Sequence, residues 1–327
     1  MSATPISSLS VEDSAALTRR VTRLSVGFAV LLSLIKLAAW IASGSVAMLA
    51  SLADSGLDML AASATFFAVR YAAAPPDHNH RFGHGKAEAF ASLIQAGLVF
   101  ASAALVGREA ITHLIHPAPV TNQLWDLAVM VVSTLLTLLL VKAQTSVLKT
   151  AKSVAVTGDR LHYLADIASN LVAFIGIGAS LLLANPAADA LAGLLVTAWL
   201  VWGAIGVFRA SGVELMDEEL GQDARDQIIA LMRLDPMVRD VHQLRTRASG
   251  PYIHIQMHVD LDPDLSLVKA HQVMVAAERR VLGAFPAADI LIHPDPSGRA
   301  EPHGGAFAEI RPTEEASPHE HAPVAAR

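Results

Sequence analysis

The chain has no cysteine among its 327 residues, which excludes disulfide frameworks, thiolate zinc sites, iron–sulfur clusters and cysteine nucleophiles. Aromatic residues are scarce at 5%, so the apolar material is that of lipid-facing helices rather than of an aromatic-girdled membrane barrel. Charged residues make up only 17%, against about 25% in soluble domains. With 53% hydrophobic residues and a mean hydropathy of +0.44, a wholly soluble protein is excluded. His-Glu-x-x-His and Gly-x-Ser-x-Gly are both missing, which sets aside a zinc metalloprotease and a serine hydrolase of the elbow type. Met1–Arg20 is polar and lacks an apolar core followed by a small-residue cleavage site, so it does not read as a secretory signal peptide.

What is present divides in two. Up to Phe208 there are 12 Lys+Arg against 11 Asp+Glu, whereas Arg209–Arg327 carries 12 against 19. The second part reads as a separate acidic, soluble unit, which argues against nucleic acid as a partner and suits cations. Spanning a bilayer takes about 20 mostly apolar residues. Six stretches meet that length: Leu24–Ser43, Val46–Tyr71, Ala87–Ile115, Leu124–Ser146, Leu161–Ala184 and Asp189–Phe208. The connections Gly44-Ser45, His116–Gln123 and Asn185–Ala188 carry no Lys or Arg, while the opposite flanks carry Arg19, Arg20, Arg23, Arg70, Arg81, Lys86, Lys142, Lys149, Lys152, Arg160 and Arg209. The positive-inside rule then places both termini in the cytoplasm.

Beyond Arg209 the pattern predicts a helix over Gln222–Leu234, strands over Val238–Arg247 and Tyr252–Leu261 joined by a Ser249-Gly250-Pro251 turn, a helix over Leu267–Phe285 and a strand over Asp289–His293. The expected architecture is an all-α bundle of six transmembrane helices followed by a small cytosolic α+β domain of αββαβ order. Its divisions are a cytoplasmic N-terminal segment (1–20), a six-helix domain (21–208), a metal-binding domain (209–296) and a disordered tail (297–327).

Ionisable groups inside membrane helices are expensive, so Asp54 and Asp58 in the second helix and His162 and Asp166 in the fifth require a task. Both pairs are spaced i, i+4 and share a helix face. Two facing helices then offer three carboxylates and an imidazole to one point, a tetrahedral set that favours Zn2+, with Cd2+, Fe2+, Co2+ and Mn2+ as alternatives. The competing reading is interhelical hydrogen bonding or a metal-free proton relay. For the pairs to lie level, the fifth helix must start near Lys149, ahead of its apolar run.

A second constellation is Asp77, His78, His80 and His84 in the loop before the third helix, where Gly83 and Gly85 permit a tight path. It reads either as a specific site or as a weak, solvated His cluster. A third comprises His242, His258, His271, His293 and Asp295 in the soluble unit. Singly each is more often a surface histidine, but jointly they favour metal. His113, His116, His303, His319 and His321 read as incidental.

The runs Leu52-Ala53-Asp54-Ser55-Gly56-Leu57-Asp58, His80-Arg81-Phe82-Gly83-His84-Gly85-Lys86-Ala87-Glu88 and Leu161-His162-Tyr163-Leu164-Ala165-Asp166 together resemble the cation diffusion facilitator family, in its bacterial zinc and ferrous-iron efflux branch. The similarity covers roughly Arg20 to Pro296. It implies a homodimer of six-helix protomers in the inner (plasma) membrane, with metallochaperone-like cytosolic domains. Such a protein exports divalent metal in exchange for protons, without an organic cofactor. It also implies a transport site at Asp54, Asp58, His162 and Asp166, a loop site at Asp77, His80 and His84, and a cytosolic site at His242, His258, His271, His293 and Asp295. Lys86 and Asp217 are implied as a charge pair near the subunit junction. A membrane-tethered metal sensor is the alternative, although it leaves the four intramembrane ligands idle. A channel conflicts with a site that holds a metal tightly.

Overall fold

The computed structural model describes residues 9–43, 46–115, 124–182 and 186–298. The readings made for Gly44-Ser45, His116–Gln123, the tail histidines and the disordered tail lie outside them, as does the side chain of His113. Six long helices come first: α1 Val11–Ser43, α2 Val46–Ala72, α3 Ala87–Ile115, α4 Leu124–Leu148, α5 Val154–Leu182 and α6 Pro186–Leu215. Among the described residues five of these (α1 to α4 and α6) are long and apolar enough to cross a membrane. The sixth, α5, has 29 residues, about 43 Å of helix, but carries Asp159, Arg160, His162 and Asp166.

Several helices extend beyond their apolar runs, each for a local reason. α1 starts at Val11 rather than near Leu24 because Ser10 Oγ accepts from Asp13 N at 3.1 Å and donates to Asp13 Oδ2 at 2.7 Å, a side-chain N-cap whose acidic partner also faces the positive helix end. α5 starts at Val154, seven residues ahead of its apolar run but short of Lys149. Ser153 sets that start by accepting from Val156 N at 3.2 Å, and its hydroxyl also donates to Glu88 on the first turn of α3. α6 runs on past Phe208 to Leu215 and carries Glu214 to the soluble domain, where it accepts from Gly250 N.

The soluble domain orders as α7 Gln222–Met232, β1 Asp240–Ser249, β2 Tyr252–Leu261, α8 Leu267–Ala284 and β3 Ala288–Pro296. Its sheet has the order β1-β2-β3, with β1 and β2 antiparallel and β2 and β3 parallel; α8 makes the crossover that parallel pairing requires. β2 alternates as expected. Ile253, Ile255, Met257, Val259 and Leu261 face a core completed by Ile228 and Met232 of α7 and Val273, Ala277 and Val281 of α8. The opposite face of the strand carries His254, Gln256, His258 and Asp260.

Backbone approaches backbone where the two domains meet. A Cβ on Gly85 would lie 1.9 Å from Ser249 O, and one on Gly250 would lie 2.7 Å from Gly85 O, so neither position accepts a side chain. Gly250 also has φ +57°, the left-handed region needed by its tight hairpin.

Candidate metal centres and the domain junction

The structure brings Asp58 of α2 together with His162 and Asp166 of α5. His162 Nε2 lies 2.9 Å from Asp58 Oδ1, and one ligand atom from each of the three falls within 4.8 Å of the others. Donors about 2.0–2.2 Å from one zinc ion stand about 3.3 Å apart in a tetrahedron, so the cluster needs only a small contraction to close on a cation. The site sits in the helical bundle with His162 6% exposed. Asp58 lies 14 residues from the end of α2 and His162 eight from the start of α5, so the pairs come level because α2 projects about 9 Å further. Asp54, one turn from Asp58, is exposed and stands outside the cluster.

Asp77 organises the loop between α2 and α3. Its Oδ1 accepts from His80 N at 2.7 Å and Asn79 N at 2.8 Å, an Asx turn. The His80 amide above all holds the Asp77 carboxyl below its ordinary range, against the opposing effect of desolvation. Oδ2 faces His84 Nε2 at 3.1 Å and Oδ1 faces His80 Nδ1 at 3.3 Å. The buried His84 ring packs on Tyr71 and His80, and Gly83 takes φ +83° to turn the chain. His78 lies apart, near Arg81 Nη2 at 3.5 Å.

In the soluble domain His242, His258 and His293 occupy one row across the three strands. All converge on Asp295, which is 5% exposed: His258 Nδ1 at 2.8 Å, His242 Nε2 at 3.4 Å and His293 Nε2 at 3.3 Å. A β-bulge after His242, with Gln243 at φ +48°, ends the regular ladder beside this row. Asp260, 3.3 Å from His242, adjoins the cluster and was not predicted. Its signal was available, because it lies two residues from His258 and so shares that strand face. His271 is exposed on α8 and joins no cluster within the described residues of one chain.

Lys86 and Asp217 meet within one protomer, Nζ to Oδ1 at 3.0 Å, and Asp217 also receives Arg247 at 3.0 Å. Although burial opposes it, these two cations hold the Asp217 carboxyl below its usual range. Arg247 in turn lies 5.0 Å over the Phe82 ring, whose edge meets His254. The loop that carries Asp77, His80 and His84 is thereby seated on the sheet. Sequence reasoning missed Phe82 and His254, whose contact joins positions 172 apart in the chain.

Comparison with known proteins agrees with this arrangement. Residues 22–216 match the cation efflux transmembrane domain, and residues 220–297 match the cytoplasmic domain of cation efflux proteins. The chain is 40% identical over 278 residues to the cation-efflux pump FieF of Shewanella oneidensis, covering 84% of this chain and 93% of that one. It is 38% identical over 268 residues to the FieF of Cronobacter sakazakii, covering 82% and 89%. Among solved structures, the metal-bound C-terminal domain of the CzcD transporter from Thermotoga maritima matches at 30% identity and a TM-score of 0.24, over 24% of this chain and 93% of that one. A helical bundle with an Asp-His-Asp cluster inside it, followed by a cytoplasmic-type α+β domain, therefore belongs to the cation efflux, or cation diffusion facilitator, family of multi-pass membrane transporters.

Proposed function

We propose that the chain exports divalent metal, with Zn2+ the preferred cargo, in exchange for protons, as a homodimer in the inner membrane with both termini cytoplasmic. The observation that carries this reading is the Asp58–His162–Asp166 cluster, contributed by two helices of an apolar bundle. Metal ligands must be deprotonated to bind, so a cation arriving from the cytoplasm releases protons. On the more acidic outer side the same groups take up protons and let the cation go. Asp54 completes a four-ligand shell when cargo is bound, and His162, the only nitrogen ligand, selects zinc-like ions over Mn2+. Fe2+, Cd2+ and Co2+ are the competing cargoes. Asp77, His80 and His84 form the loop site and the Asp295 cluster forms the cytosolic site, joined by His271 in the metal-loaded dimer. Both are docking or regulatory sites, because they lie outside the membrane path.

Metal uptake into inside-out vesicles, compared across Zn2+, Cd2+, Fe2+ and Mn2+ with and without a pH gradient, tests this. Asp58→Ala and Asp166→Ala should each lower transport by well over the roughly 10–100-fold lost when only a supporting partner of a metal ligand is removed. His162→Asp should admit Mn2+. Wild-type rates in a folded Asp166→Ala variant would show that the site is misassigned.

A further inference from the structure

A second buried polar centre lies between the Asp58–His162–Asp166 cluster and the α5 N-terminus, and the transport step above does not use it. Asp159, one turn before His162, is 1% exposed. Its Oδ1 accepts from Gln95 Nε2 of α3 at 3.3 Å and its Oδ2 from Gln144 Nε2 of α4 at 2.8 Å. Gln144 Nε2 also faces Ser25 Oγ of α1 at 3.1 Å, and Gln95 Nε2 faces Thr65 Oγ1 and Ala61 O of α2 at 3.0 and 3.2 Å. Five helices thus meet around one carboxylate.

Chemistry fixes the orientation of both amides, because a carboxylate takes donors and would repel a carbonyl oxygen. Gln95 Oε1 and Gln144 Oε1 must then point away from Asp159. Both are buried without a hydrogen-bond partner, as is Ser92 Oγ, three residues from Gln95 on α3. Simple interhelical bonding explains the bonds that are made. It does not explain orphaned oxygens grouped around a charge, since a permanently sealed core keeps its polar atoms paired. Oxygen atoms of this kind suit water or a hydrated divalent cation. The centre also lies in the right place. Gln144 is four residues from the end of α4 and Asp159 five from the start of α5, so both lie about 6–8 Å inside the bundle.

We propose that Asp159, Gln95 and Gln144 form a lock on the cytoplasmic route to the Asp58–His162–Asp166 site, closed in this structure. When it opens, the freed carboxylate and amide oxygens line the passage for a hydrated cation. The inference rests on reading that cluster as the transport site and adds the gate that controls access to it.

The lack of native cysteine makes a single reporter clean. Ser55, buried three residues from Asp58 on the side away from Thr65, lies beyond the lock, and Ser55→Cys can be probed with a membrane-impermeant thiol reagent in inside-out and right-side-out vesicles. Gln144→Leu removes two bonds, and Asp159→Asn removes the charge. Either change should raise labelling from the cytoplasmic side about tenfold, equivalent to 1.4 kcal/mol in the gating equilibrium, and leave labelling from the outer side unchanged. Should Asp159→Asn fail to fold, Gln144→Leu, which keeps the charge and its bond from Gln95, carries the comparison alone. Unchanged cytoplasmic labelling, or an equal rise from both sides, overturns the lock. Zn2+ calorimetry with His84→Ala and His258→Ala silencing the other two clusters reads the transport-site assignment separately, because labelling requires neither metal nor turnover.

Discussion

His254 shows how one side chain ties the state of the domain junction to pH. It is buried beneath the Phe82 edge, its Nδ1 lies 3.2 Å from Asp289 Oδ2, and its Nε2 is buried without a partner. Burial pulls its pKa below the ordinary value, with Arg247 in the same direction and Asp289 and Asp217 opposing. The folded junction therefore favours neutral His254. Its contribution to stability is complete above the unfolded value of about 6.5 and is lost as pH falls through the lowered folded value. Acidifying the metal-free protein from about pH 7 to about pH 5.5 should lower Tm more in the wild type than in His254→Leu. Equal slopes would show that His254 is protonated freely in the folded state. The charged side chains of α2 and α5, by contrast, stood out as single residues, because a charge in an apolar run and an i, i+4 repeat are local signals. Asp159 escaped notice because it lies ahead of the apolar run that begins at Leu161, where a carboxylate does not stand out even in a helix started near Lys149.

At the scale of elements, the six helices and the αββαβ order follow from hydropathy and period. Their ends follow from caps that hydropathy does not register, at Ser10 for α1 and Ser153 for α5. The His242–His258–His293 row was not legible. It depends on parallel pairing of β2 with β3 across a helix and on a bulge after His242, neither of which a one-dimensional pattern specifies. Lys86 and Asp217 were expected as a charge pair near the subunit junction; they meet within one protomer, and the structure adds Arg247 as a second cation on the same carboxylate. That addition changes the expected result of charge reversal. Lys86→Asp and Asp217→Lys should each impair transport, and the double variant should recover only part of the loss, because the lysine introduced at position 217 would then face Arg247. The partly exposed pair sets a modest scale of about 0–1 kcal/mol. Double-mutant analysis of transport rate checks this; purely additive losses would mean that the two side chains do not act on each other.

For the whole molecule, three clusters lie along one connected path. The loop that holds Asp77, His80 and His84 adjoins α3, and its Phe82 and Gly85 rest on the sheet that carries the Asp295 cluster. α6 reaches the same sheet through Glu214. Cations bound to the acidic soluble domains would offset repulsion between two copies and bring them together. Glu88, Ser153, Lys86 and Asp217 stand where that movement would reach the helices. Antiport depends most on one step, the exchange of a metal for protons at the Asp58–His162–Asp166 site. Calorimetry of Zn2+ binding to the full chain, in buffers of different ionisation enthalpy and with His84→Ala and His258→Ala silencing the other clusters, counts the protons released at that site. Net release per Zn2+ between about pH 6 and about pH 7.5, abolished together with binding in Asp166→Ala, is the predicted result. Zn2+ binding with proton release indistinguishable from zero across that range would contradict antiport and leave a uniporter.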